Sequence, residues 1–161
     1  MKKKNIKFIL VLLLPMFFLS CGFKPLYQKN NSLIHLKKIE VKGDQRTAYS
    51  LKNELMLISD EDSINKQNIR LVISKQKSTK IKDKSGKVTR YDLSLSANVK
   101  LTNLSNNQII EKTFNRNLDY YVSSIHSDTI KNESNATKII TQQLSDDITN
   151  HIILSSRKND S

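Results

Sequence analysis

The sequence predicts an α+β fold, a two-layer sandwich with two helices on one face of a mostly antiparallel four-stranded sheet, in the order β-α-β-β-β-α. Three observations carry that expectation. Residues 91 to 101 alternate apolar and polar without a break. Residues 48 to 58 and 136 to 152 repeat apolar side chains three or four apart, the period of a helix buried along one stripe. Polar turn clusters separate these segments, and a length of 161 residues suits one small domain and excludes a multidomain machine.

The elements follow in order. In IHLKKIEV, residues 34 to 41, the apolar positions are Ile34, Leu36 and, after a slip of one residue, Ile39 and Val41; Lys42, Gly43 and Asp44 end this short strand. A helix follows, because Ala48, Leu51, Leu55 and Ile58 form one stripe while Arg46, Lys52, Asn53 and Glu54 fall mostly off it. Ile69, Leu71 and Ile73 begin a second strand that turns polar through Lys75, Lys77 and Lys80. Asp83 to Gly86 make a turn into the third strand, where Tyr91, Leu93, Leu95, Ala97, Val99 and Leu101 share one face. After a polar turn over 103 to 107, Ile110, Phe114, Leu118 and Tyr120 share the parity of a fourth strand. Lys112 and Arg116 interrupt it, so a bulge or a frayed edge is expected. The last helix carries Ala136, Ile140, Leu144, Ile148 and Ile152, with Ser134 or Asn135 as its expected cap.

In front of the domain, Lys2, Lys3, Lys4 and Lys7 precede an apolar stretch from Phe8 to Leu19. As a helix this stretch spans about 18 Å, short of the roughly 30 Å hydrocarbon core, so it reads as a signal segment. The only Cys of the chain, Cys21, stands where the apolar run stops, between Ser20 and Gly22. This pattern resembles the lipobox of bacterial lipoproteins, with Phe18 where Leu is commoner. The resemblance implies cleavage before Cys21, a diacylglycerol on its thiol and an acyl chain on its new amino group; two chains already make a stable anchor. Gly22 in place of an Asp implies an outer-membrane destination. The alternatives are an ordinary secretory signal with an incidental Cys, or an uncleaved anchor.

Removing residues 1 to 20 takes away four lysines and leaves 23 basic against 15 acidic side chains, an excess of +8. A single Cys excludes internal disulfides and Cys-rich zinc sites. Residues 22 to 31 hold Pro25 and no helical or strand period, and so read as a tether. The expected organisation is a signal peptide over 1–20, an acylated Cys and tether over 21–33, an α+β domain over 34–155 and a polar tail over 156–161.

CGFKPLY, residues 21 to 27, and the run from Ala136 to Leu154, with Asp146 and Asp147 inside an apolar period, carry a second resemblance. The chain resembles the lipopolysaccharide-assembly lipoproteins of the LptE family, in its alphaproteobacterial form, across essentially the whole mature length. The resemblance implies a lipid-anchored protein at the periplasmic face of the outer membrane. It would plug and help assemble a β-barrel lipopolysaccharide transporter, LptD-like, and contact lipopolysaccharide in transit. No catalytic activity and no cofactor are implied.

The candidate binding element is the stretch from 75 to 90, where Lys75, Lys77, Lys80, Lys82, Lys84, Lys87 and Arg90 face a single Asp83. On a hairpin Lys80 and Lys82 share a face and Lys84 and Lys87 flank the turn, so these four ammonium groups are expected to meet the phosphates of a polyanion. The competing explanation is composition: 22 Lys, 16 Asn and 18 Ile suggest an AT-rich coding bias under which Lys is the default solvated residue. Nucleic acid is excluded as a partner by the export signal and the lack of aromatics among these cations. His35, His126 and His151 are widely separated and have no ligand-spaced partners, so no metal site is expected. Asp146 and Asp147 project about 100° apart on a helix and cannot form a close acid/base dyad. A freestanding envelope lipoprotein that binds peptidoglycan or another anionic wall polymer is the alternative function.

Overall fold

The structure is a computed structural model, and it describes residues 34–158, with side chains to residue 156. The order is β1 (His35–Gly43), α1 (Gln45–Leu57), β2 (Lys66–Lys82), β3 (Val88–Asn103), β4 (Ile109–Tyr121) and α2 (His126–Lys158). One sheet forms with strand order β1-β2-β3-β4; β1 runs parallel to β2, and the other two pairings are antiparallel. Both helices pack on one face, giving the expected two-layer α+β sandwich.

The apolar periods become the core. Leu93, Leu95, Ala97, Val99 and Leu101 of β3 are buried against Leu51 and Leu55 of α1 and against Ile140, Leu144, Ile148 and Ile152 of α2. The slip in β1 is a register shift between Leu36 and Lys38, which returns Ile39 and Val41 to the face of Ile69 and Leu71. Gly43 ends β1 at φ +95°, and a Cβ there would lie 1.8 Å from the Ile73 carbonyl oxygen, so only glycine fits. Asp44 then caps α1: its Oδ1 accepts from the Thr47 amide at 3.0 Å. Thr47, through its side chain first and this amide second, holds the Asp44 carboxyl below its usual range.

Three expectations about boundaries and regularity are corrected. The fourth strand has no bulge: β4 pairs with β3 continuously from Tyr121 opposite Arg90 to Ile109 opposite Thr102. Arg116 stays in register because its guanidinium reaches out to Asp147 of α2, at 2.7 and 2.8 Å. β4 is nevertheless an edge strand. The last helix starts at His126, ahead of Ser134 and Asn135, which lie inside it. Its first turns have no buried stripe to betray them. They are held by polar contacts instead, Asn132 Nδ2 to the Tyr121 carbonyl at 3.1 Å and Thr129 Oγ1 accepting from the Ser123 amide at 2.9 Å. At the other end α2 continues to Lys158, so Ser156, at the start of the expected tail, is helical and buried.

Candidate functional site

Beyond its first half β2 is exposed at every position from Ser74 to Lys82. Together with the start of β3 it forms a hairpin whose last rungs, Ile81 opposite Arg90 and Lys82 opposite Val88, carry the chain to its turn. That turn is organised by Asp83. Its Oδ1 accepts from the Ser85 hydroxyl at 2.6 Å, the Ser85 amide at 2.8 Å and the Lys87 amide at 3.0 Å. The Ser85 hydroxyl contact above all keeps the Asp83 carboxyl below its ordinary range. Gly86 supplies φ +85°, which a side chain would resist.

The root of the hairpin is tied down on both faces of the sheet. On the helix side Lys77 lies 2.7 Å from Glu133 of α2 and 4.4 Å from the centroid of Tyr91, and Tyr120 donates its hydroxyl to Glu133 at 2.8 Å. The Glu133 hydrogen bond is the main cause that raises the Lys77 ammonium well above its usual range. Lys75 sits 3.8 Å from the same carboxylate. On the outer side Lys80 lies 3.2 Å from Asp119 and 4.0 Å from Asp92, and Arg90 pairs with Asp119 at 2.8 Å while stacking over Tyr121 at 4.0 Å.

The seven cations of this stretch therefore divide. Lys75, Lys77, Lys80 and Arg90 are paired with carboxylates of the domain. Lys82, Lys84 and Lys87 are exposed at the tip and form no ion pair among the described residues. Lys80 thus stands apart from the other three, and register shifts at Thr79/Ile81 and Ile81/Lys82 break the alternation that would put Lys80 and Lys82 on one face. Sequence reasoning missed Ile81, 44% exposed among these lysines, and the cross-strand pair of Asp92 and Asp119, which becomes visible only with the register. A tip of three free ammonium groups beside an exposed aliphatic side chain suits an anionic amphiphile.

Other features are less specific. An open groove of about 580 Å³ between α1, β2 and α2 balances Asp44, Glu54 and Glu133 against Arg46, Lys75 and Lys138. His151 lies under β4, its ring edge-on to Phe114 at 5.5 Å. Burial, with a smaller contribution from Lys112, lowers its pKa. Asp147 is engaged by Arg116 and Asp146 accepts from Gln142 at 3.2 Å. Among the described residues no cluster of three or more His, Cys, Asp or Glu could hold a metal, and no helix is long and apolar enough to cross a membrane. Cys21 lies outside the described residues.

The architecture is shared with solved bacterial lipoproteins. Rare lipoprotein B from Shewanella oneidensis superposes with a TM-score of 0.62 at 16% identity, over 77% of this chain and 99% of that one. A lipoprotein from Caulobacter crescentus CB15, described as putative in its own right, gives 0.52 at 15% identity, over 75% and 91%. By fold, the domain is therefore of the two-layer α+β class found in these proteins. Residues 34–154 match the model of the family LptE, Lipopolysaccharide-assembly, and the chain belongs to that family. No curated protein matches the chain.

Proposed function

We propose that the protein is a non-catalytic lipoprotein subunit of the lipopolysaccharide translocon, held by an acylated Cys21 at the periplasmic face of the outer membrane. In this reading it plugs and assists the assembly of an LptD-like β-barrel and contacts lipopolysaccharide on its way to the cell surface. Membership of the LptE family over residues 34–154 is the observation that carries the proposal. The hairpin supports its ligand side: Lys82, Lys84 and Lys87 are free to meet phosphates, with Lys80 held behind them by Asp119.

Affinity purification of the full chain from detergent-solubilised membranes tests the partner. A co-purifying β-barrel protein of several hundred residues supports the proposal. Its absence under mild detergent favours the freestanding wall-binding lipoprotein.

A further inference from the structure

Both helices lie on one face of the sheet, and strand register sets the side chains of the other face in rungs across β2, β3 and β4. Ser74, Ser96 and Asn115 form one rung, and Gln76, Ser94 and Asn117 form the next toward the hairpin. The rung on the far side, Val72, Asn98 and Thr113, is uncharged as well, and Asn98 Nδ2 donates to Thr113 Oγ1 at 3.2 Å. These side chains are exposed on β2 and β4 and half-exposed on β3. Charge returns only at the borders of the field: Lys42 beside Val72, then Arg70, Lys100 and Glu111 at one end, and Asp92 and Asp119 at the other.

This distribution reverses what solvent and composition dictate. A face turned to water ordinarily carries the long charged side chains, and Lys accounts for 22 of the 161 residues. On these same strands, however, Lys75, Lys77, Lys112 and Arg116 stand on the helix side, where they meet Thr137, Glu133, Phe114 and Asp147. A coding bias toward Lys adds charge wherever water accepts it, so it does not explain a solvated face from which charge is withheld. The residues found there instead are suited to being covered. Ser, Thr and Asn lose little rotamer freedom when held, and a neutral hydroxyl or amide costs far less to desolvate than an ammonium group. Each also offers both a donor and an acceptor.

We infer that this face lies against an uncharged polar stretch of the lumen wall of the β-barrel partner; the inference rests on the reading of the domain as a barrel plug and assigns the side of it that touches the wall. The chemistry of the face selects that occupant. A lumen wall is itself a sheet whose inward side chains are polar, so hydroxyl and amide groups on the two surfaces pair directly or through ordered water. An anionic ligand finds no cation within the three rungs and is served by the hairpin tip. A hydrocarbon surface finds only Val72. Small ligands and sugars favour a concave site with aromatic walls, whereas these rungs hold no aromatic ring and the open groove of the domain is on the helix side.

Two measurements on the full chain in its own membranes test this. The photoreactive residue p-benzoylphenylalanine, placed singly at Ser96 or at Asn115, should cross-link on irradiation to a β-barrel protein of several hundred residues. Cross-links that instead run to lipopolysaccharide, to a second copy or within the chain overturn the inference. In the second measurement Ser74→Lys, Ser94→Lys and Asn115→Lys are combined, no two of them opposite each other in the register. The barrel recovered by affinity purification should fall at least about tenfold, because three ammonium groups are desolvated without partners. Lysines at Asn53, Gln143 and Asn150, exposed on the helices, should lower it less than about twofold. Equal losses from the two sets overturn the inference. Thermal melts of both variants should match the parent to within about 4 °C; if the sheet-face variant melts early, the single-site cross-links still decide. A barrel recovered with the parent but never cross-linked from Ser96 or Asn115 overturns the inference alone, whereas no barrel with the parent removes the plug reading and the inference together.

Discussion

Lys77 Nζ and Glu133 Oε2 lie 2.7 Å apart and join the middle of β2 to the first third of α2, at the level where the sheet begins to outrun its helices. Tyr120 donates to the same oxygen at 2.8 Å, so one carboxylate ties two strands to the helix.

Removing that carboxylate should loosen the polar start of α2. Glu133→Ala is expected to cost about 1–2 kcal/mol, because Lys77 and Tyr120 both lose their acceptor. The Lys77 hydrogen bond holds the Glu133 carboxyl below its ordinary value of 4.5. Its contribution is therefore present above that pH and is lost as pH falls through the depressed value. Urea titrations at pH 7 and pH 3 should show a smaller loss on acidification for Glu133→Gln than for the parent; equal losses would place the acid sensitivity elsewhere.

His151 titrates in the other familiar window. Burial lowers its pKa below 6.5, so the unfolded chain takes up a proton that the folded one refuses, and stability falls as pH drops below about 6.5. His151→Phe keeps a ring against Phe114, replaces a buried Nε2 that has no hydrogen-bond partner among the described residues, and should change stability at pH 7 by less than about 1.5 kcal/mol. Between pH 7 and pH 5 it should lose less stability than the parent in the same titration.

The two faces of β3 should respond oppositely to charge. Leu95 is fully buried, whereas Ser96 lies on the face opposite the helices, across from Asn115. Leu95→Asp is expected to cost about 4 kcal/mol or more, and Ser96→Asp about 0.5 kcal/mol or less. Thermal melts compare the two, and equal shifts would contradict the face assignment.

Changing Lys82, Lys84 and Lys87 together to Gln should weaken lipopolysaccharide binding about tenfold, the sum expected of three exposed charge contacts. It should also flatten the salt dependence, since such contacts are screened over about 10 Å at 0.1 M salt. The control is Lys37, Lys42 and Lys131, all exposed and on other elements. Equal losses from both sets would reduce the tip to part of a diffuse positive field. Lys80→Gln should matter less to binding, because its charge is already opposed by Asp119 and Asp92.

Cys21→Ala should abolish incorporation of a fatty-acid analogue and leave unprocessed precursor. Metabolic labelling reads this directly, and undiminished label on the variant would remove the anchor from Cys21.

The sequence by itself determined the elements and their buried faces, because a hydrophobic period is a local property. Ile140, Leu144, Ile148 and Ile152 share one helix stripe, and Leu93 to Leu101 share one strand face, whatever they pack against. It also determined the turn at Asp83 to Gly86, whose chemistry lies within five residues. Tertiary structure alone decided where charge is spent. Lys80 reaches Asp119 and Arg116 reaches Asp147 across long separations in the chain, so their pairing depends on strand register and on the seat of α2, which no local pattern encodes. The first turns of α2 belong to the same class. They bury no apolar stripe, and contacts such as Glu133 with Lys77 and Asn132 with the Tyr121 carbonyl hold them only once the sheet is in place.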